Sequence, residues 1–282
     1  MNQRKSLKEL NLLDKFLFDE AMDDPENVKT MLDIILSQNT NLKHPPQTEK
    51  EQRTSTDNRQ IRLDVYAIDE DDVIYEVEAQ KENTHNLPKR SRLYQGIIDS
   101  KLLPPGVVDF NLLNEVLIVL IMPFDLFGYG LYRYTFQMRC EEVPELKLDD
   151  GATRIFLNTR GIHPELVSPE LIELLKYMER STDEVSRECK SKRIQEMHRR
   201  VCQIRASEKT EVKYMQSWEE RIMIKQEGIA EGRIEGEKAL LKSLIEKKMA
   251  KKYSAEQISA MLEVDVSEVE NIMKEIQNEK YL

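Results

Sequence analysis

The sequence predicts an α/β fold in which a mixed sheet is flanked by helices and followed by a C-terminal all-helical extension. Three observations predict it. Two neighbouring segments, 61–68 and 73–80, alternate in the two-residue period of a strand. Val116–Met122 is apolar at every position, as in a strand covered on both faces. From Ser168 onward the pattern is helical, with no proline after Pro169 and glycine only at 228, 232 and 236.

In order along the chain, the first 40 residues read as two helices. In the second, Asp24 is placed to cap, Pro25 sits at the first helical position, and Val28, Met31, Leu32, Ile35 and Leu36 share one face. Residues 41–60 are polar, aperiodic and interrupted by two prolines, and read as a loop. In 61–68, Ile61, Leu63, Val65 and Ala67 are expected on one face, with Arg62, Asp64, Tyr66 and Ile68 on the other. The short acidic link Asp69–Asp72 joins this segment to 73–80 as a β-hairpin. Residues 87–101 read as a helix, and 131–140 and 153–158 as further strands. Ser254 and Ser267, each followed three residues later by Gln257 or Glu270, read as capping boxes that open two short helices. The predicted division is therefore a domain over 1–180, a basic helical extension over 181–226, and a tail over 227–282. The tail holds a Glu-Gly repeat and a small helix-turn-helix-like pair.

Composition narrows the function. The chain of 282 residues carries 52 acidic and 42 basic side chains, a net charge of −10, which excludes a protein that coats DNA through bulk charge. The longest apolar run has seven residues, far below the ~18 needed to cross a bilayer. The amino-terminal MNQRKSLKEL has no apolar segment of a signal peptide, so a cytoplasmic protein with no membrane partner is expected. Three cysteines without a CxxC pair imply neither a disulfide framework nor a zinc knuckle.

The hairpin holds the chemistry. Between 64 and 82 stand eight acidic side chains and one lysine. If Asp69 pairs with Val73 across a three-residue turn, Asp64 lies directly across from Glu78, with Gln80 two residues along on the same face. A two-residue turn would instead send the two carboxylates to opposite faces. Facing carboxylates repel unless a cation lies between them, and a hard divalent ion ligated by oxygens would supply both that charge and a Lewis acid.

Asp64 followed by Glu78-Ala79-Gln80 resembles the Asp and Glu-x-Lys/Gln signature of the PD-(D/E)XK nuclease superfamily. Further segments occur in the order of one bacterial branch of it: Asp14-Lys15-Phe16, Arg62-Leu63-Asp64-Val65, Ile74–Gln80, Arg90 with Arg92 and Tyr94, Pro123–Gly128, Cys140-Glu141-Glu142, Asp150-Gly151, Ile155–Asn158 and the Glu-Gly repeat. Over nearly its whole length the chain is similar to the PD-(D/E)XK family of transposase-type, recombination-promoting nucleases. The resemblance implies an αβββαβ (restriction-endonuclease-like) core, Mg2+ or alternatively Mn2+, and cleavage of DNA phosphodiester bonds. Asp64, Glu78 and the Ala79 carbonyl would ligate the metal. Gln80 would stand in the usual lysine position, where an amide cannot lower the pKa of water as an ammonium does.

Other residues complete the expectation. Lys89, Arg90, Arg92 and Lys101 on the 87–101 helix are candidate phosphate contacts. So are Arg199 and Arg200, in a stretch, 187–205, with seven basic and two acidic side chains. Tyr94 and the first-helix acids Asp14 and Glu20 are candidate supports of the site. His198 and Cys202 share a helix face at i, i+4, but with no further Cys or His near them in sequence they read as ordinary helix residues. The last helix is acidic, so the tail suits an interaction or homo-oligomer contact better than a DNA groove. A rival reading is a DNA- or protein-binding descendant without catalysis: carboxylates converging in an open groove favour the nuclease, and a lysine or arginine plugging them favours the rival.

Overall fold

The computed structural model describes residues 4–52 and 61–279 and divides into two units, Met1–Tyr214 and Met215–Leu282. The first begins with α1 (Lys15–Met22) and α2 (Pro25–Leu36). Asp24 caps α2 as its sequence predicts, accepting the Glu26 N–H at 2.9 Å with Pro25 behind it. The strands are β1 (Gln47–Gln52), β2 (Ile61–Ile68), β3 (Ile74–Ala79), β4 (Val116–Met122), β5 (Arg133–Phe136) and β6 (Ala152–Asn158). They form one mixed sheet in the order β1-β2-β3-β4-β6-β5. The first three strands pair antiparallel, β3–β4 and β4–β6 pair parallel, and β5 returns antiparallel to β6. The parallel step from β3 to β4 requires a crossover, which α3 (Leu87–Asp99) provides.

The sheet is covered on both faces, as the apolar run over β4 requires. On one side Val65, Ala67, Tyr75, Val77, Val119 and Ile121 join a core with α1, α2, α4 (Pro169–Glu179) and α6 (Lys192–Ala206). On the other, Tyr66, Ile74, Ile118, Leu120 and Phe156 pack with Tyr94, Ile97 and Ile98 of α3. β4 is buried at every position but Leu117.

Three expectations are corrected. The segment 41–60, read as a loop, contains β1; residues 53–60 lie outside the described part. A strand with the sequence QTEKEQ has no apolar period to read, because it is an edge strand held by main-chain pairing to β2. The near-continuous helix after Ser168 is broken three times, giving α4, α5 (Asp183–Glu188), α6 and α7 (Glu208–Met249). Each break is a hydroxyl cap: Thr182, Ser191 and Ser207 accept the N–H three residues on. Finally, Ser254 opens α8 (Ala255–Leu262) with its capping box intact, but α9 (Val266–Glu279) begins one residue before the expected Ser267 start. Asp265 takes both the Ser267 N–H at 2.8 Å and its hydroxyl at 2.6 Å.

The basic stretch 187–205 also sits differently from a free extension. Ile194, Met197 and Val201 of α6 are fully buried, each contributing about 1.5–3 kcal/mol of apolar burial, so α6 belongs to the first unit. Its arginines fasten it there. Arg193 binds Glu170 at 2.6 Å, Arg200 binds Asp24 at 3.4 Å, and Arg205 donates to the carbonyls of Ser181 and Leu10. In the second unit, Ile245, Ile258, Val269 and Ile276 form a small core among the end of α7, α8 and α9. Gly228, Gly232 and Gly236 of the Glu-Gly repeat face open space.

Candidate functional site

The turn between β2 and β3 sets the register. Asp69 and Val73 close a three-residue loop through the Asp69 N–H to the Val73 carbonyl, at 3.1 Å. The Asp72 N–H turns back onto the Asp69 carbonyl, and Asp72 itself adopts the left-handed conformation at φ 61°. The Asp69 carboxylate locks this geometry, accepting from the N–H groups of Asp71 (3.0 Å) and Val73 (2.9 Å) and from the Tyr75 hydroxyl (2.6 Å). The ladder then runs Ile68↔Ile74, Ala67↔Tyr75, Tyr66↔Glu76 and Val65↔Val77, the register expected from a three-residue turn. Asp64 and Glu78 are the next positions outward.

The strict alternation expected of β2 fails at that point. Leu63 falls in the core under α3, whereas Val65, two residues away, falls in the core under α1 and α2. On β1, Glu49 between the paired residues Thr48 and Lys50 has a φ of 48°. The irregularity lets Asp64 reach α1, where its Oδ1 accepts from the Lys15 ammonium at 2.5 Å, while its carboxylate also takes the Ala79 backbone N–H. Lys15 binds Asp19, one turn along α1, at 3.1 Å. Glu78 accepts from Arg90 of α3 at 2.6 Å, and the same guanidinium donates to the Gln80 side-chain oxygen. The Gln80 amide donates to the Glu82 carbonyl. Between these groups lies Glu76, fully buried.

Four carboxylates, Asp19, Asp64, Glu76 and Glu78, thus share two cations, Lys15 and Arg90. Both oxygens of Glu76 and Oε2 of Glu78 are buried without a hydrogen-bond partner. A carboxylate so placed loses its hydration without replacement, which favours its protonated form. Burial pushes Glu78 up to about 7 against the pull of Arg90, with the Asp64 charge adding to the rise. Burial likewise pushes Asp19 up to about 7, against the pull of Lys15. Glu76 is raised well above the usual carboxylate range by burial and by the charges of Glu78 and Asp64, and Asp64 is raised by burial that Lys15 only partly offsets. Burial acts to lower Lys15, but Asp64 and Asp19 outweigh it and hold the ammonium above its ordinary value.

No protein-family model, curated protein or solved structure matches the chain.

Of the residues singled out in the sequence, Asp64, Glu78, Ala79, Gln80, Arg90 and Tyr94 come together. Tyr94 is buried near the Arg90 guanidinium, 5.9 Å from ring centre to Cζ, and burial raises its hydroxyl pKa. Asp14 stands just ahead of α1, bound by the Asn11 N–H and the Lys81 ammonium, and Glu20 pairs with Lys213. Arg90 is placed differently from a free phosphate contact, since its guanidinium is held by Glu78 and Gln80. Arg92 is exposed. Arg199 pairs with Glu196 on its own helix, and Arg200 with Asp24. Lys15, Asp19 and Glu76 are the members that sequence reasoning passed over. Glu76 had a signal, its even spacing from Glu78 on β3; Lys15 and Asp19 had only an i, i+4 spacing common on helix surfaces.

The donors here are all oxygens, the ligand class of Mg2+ and Mn2+, but Asp64, Glu76 and Glu78 do not bring three ligand atoms within 4.8 Å of one another, which leaves Asp64 and Glu78 as the candidate ligand pair. The three orphaned oxygens, both of Glu76 and one of Glu78, are the groups that a divalent cation held by Asp64 and Glu78 would help to satisfy.

Proposed function

We propose that the protein is a divalent-metal-dependent DNA endonuclease of the PD-(D/E)XK type, associated with transposition or recombination. The observation that carries the reading is the cluster of Asp64, Glu76 and Glu78, buried in one place with three carboxylate oxygens unpartnered. A purely structural carboxylate cluster would be satisfied by hydrogen bonds, because each unsatisfied charged group costs several kcal/mol. Mg2+ or Mn2+ bound by Asp64 and Glu78 would supply Lewis acidity toward a phosphoryl oxygen and a source of hydroxide near neutral pH.

The remaining roles belong to the chain. Arg90, fixed by Glu78 and Gln80, is positioned to donate to a phosphate oxygen in exchange for a carboxylate. Gln80 holds that guanidinium in place and supplies no ammonium to activate water. Lys15 is the cation on the opposite flank. Lys89 and Arg92, exposed on α3 beside Arg90, would supply positive charge for a DNA backbone, with Lys101 beyond the far end of the helix.

A second reading has its own observation. Lys15 on Asp64 and Arg90 on Glu78 are the cationic plugs expected of a binding module that has lost catalysis. Plasmid nicking separates the two. The nuclease converts supercoiled DNA to nicked circles with Mg2+, stops with EDTA, and loses activity in Asp64→Ala while that variant still binds DNA. Wild-type protein that binds DNA but leaves the plasmid intact with either Mg2+ or Mn2+ establishes the binding module.

A further inference from the structure

A second constellation lies away from the hairpin, where α5 meets α6. His198 of α6 directs Nε2 at the Asp183 carboxylate of α5, at 2.8 Å, and at the Cys202 sulfur one turn along α6, at 3.4 Å. Asp183 Oδ1 and Cys202 Sγ are 3.9 Å apart. The three donor atoms therefore surround a single point, and they are the one such His/Cys/Asp/Glu group among the described residues.

The arrangement is more than a helix–helix ion pair. An ion pair needs only Asp183 and His198, and a thiol on the same ring nitrogen adds nothing to it. Nor is it a nucleophile–base–acid relay, in which the thiol and the carboxylate would use opposite ring nitrogens. Here the opposite nitrogen, Nδ1, is engaged by the Tyr177 hydroxyl at 3.0 Å, and the Tyr177 ring meets the imidazole edge-on at 5.5 Å. Tyr177 is fully buried in α4, so the imidazole plane is fixed from behind while Nε2 faces the other two donors. A histidine bound to metal through one nitrogen characteristically has its other nitrogen held by such an outer partner, and a hydroxyl can serve as donor or acceptor there.

We propose that Asp183, His198 and Cys202 form a zinc site that ties α5 to α6, with a fourth position left to solvent. For zinc bonds of about 2.0–2.3 Å, a tetrahedral centre separates its ligand atoms by about 3.3–3.6 Å, and the three observed separations bracket that range. The mixed nitrogen, sulfur and oxygen set suits Zn2+ and its spectroscopic stand-in Co2+, and not Mg2+, which takes oxygen ligands. Access is open on one side: the Asp183 side chain is 79% exposed, whereas that of His198 is 12% exposed. Burial and the Asp183 charge keep the Cys202 thiol protonated in the metal-free chain. Binding accordingly releases its proton to solvent as the zinc–sulfur bond forms. The sequence hid this site because the third ligand is a carboxylate on another helix, outside the spacing of any Cys/His motif.

The test uses the full chain, stripped of metal and titrated with Co2+ while the thiolate-to-cobalt absorption in the near ultraviolet is followed. One equivalent should produce the band, Zn2+ should bleach it, and Zn2+ should raise the melting temperature. Cys202→Ser should lose the band, and Asp183→Asn, at an exposed position, should weaken Co2+ binding. Cys140→Ser and the double variant Asp64→Asn, Glu78→Gln should keep the band, which separates this site from the hairpin. No band in the wild-type protein, a band that survives in Cys202→Ser, or unchanged affinity in Asp183→Asn would overturn the proposal.

Discussion

The hairpin site gathers carboxylates, the α5–α6 cluster sets one carboxylate beside a histidine and a thiol, and burial separates the two. On the hairpin, Asp64, Glu76 and Glu78 have lost nearly all contact with solvent, and burial dominates the rise in the proton affinity of all three. At the α5–α6 cluster Asp183 stays in water, so the hydrogen bond and charge of His198 govern and hold its carboxyl below the ordinary range. The same residue type is therefore destabilised as an anion in one place and stabilised in the other. A buried, underpaired carboxylate cluster is completed by a cation; an exposed Asp–His pair is already satisfied and gains from a metal only through the added thiol.

Four measurements break or sharpen this contrast. The largest effect is expected at the hairpin itself. Asp64→Asn or Glu78→Gln should abolish nicking and most of the Mg2+-dependent stabilisation, which for wild type at 100 times Kd is about 2.7 kcal/mol. With roughly 2–4 °C per kcal/mol for a chain of this size, the wild-type melting temperature should rise by several degrees. An equal rise in both variants would place the ion elsewhere.

Next in size is the turn that sets the register. Asp69→Ala removes three hydrogen bonds and leaves the buried Tyr75 hydroxyl without its acceptor, a loss of about 2–4 kcal/mol. Denaturant unfolding would measure it, and a loss under about 0.5 kcal/mol would show that the loop backbone holds the register unaided.

The third measurement is a pH profile without metal. Glu78 and Asp19 are raised from their ordinary values of 4.5 and 3.8 to about 7, so between those limits the folded chain holds more protons than the unfolded one. Their contribution to stability is full at the acidic end and is lost as pH rises through about 7. Glu78→Gln should therefore gain on wild type in melting temperature as pH increases across this window, and saturating Mg2+ should cancel the gain. A difference that stays flat with pH would remove the burial argument.

The smallest effect belongs to Arg199, whose bond to Glu196 joins two exposed side chains on one helix. Arg199→Ala should change stability by less than about 0.5 kcal/mol. If it nonetheless weakens DNA binding and reduces the salt slope by roughly one, Arg199 contacts phosphate.

By itself the sequence determined the features that depend on near neighbours. The Asp24-Pro25 cap, the β-hairpin and the fully apolar β4 are local rules of backbone chemistry and periodicity, and all three are found, whereas the choice between a two- and a three-residue turn at Asp69 is settled by the structure. From the turn follows the register as far as Val65 opposite Val77; beyond it the strand irregularity, not the turn, sends Asp64 to Lys15 and leaves Glu78 with Arg90. Only the tertiary structure decided which charges are buried together. Lys15 and Asp19 enter the site because α1 packs beside β2, and Arg90 because α3 crosses over the face that bears Glu78. The arginines of α6 look like a nucleic-acid stripe in sequence, yet Arg193, Arg200 and Arg205 fasten that helix to α2, to α4 and Ser181 just beyond its end, and to Leu10 ahead of α1. Charge patterns are read along the chain, but a charge acts through its distance in space and the water it has lost, and packing sets both.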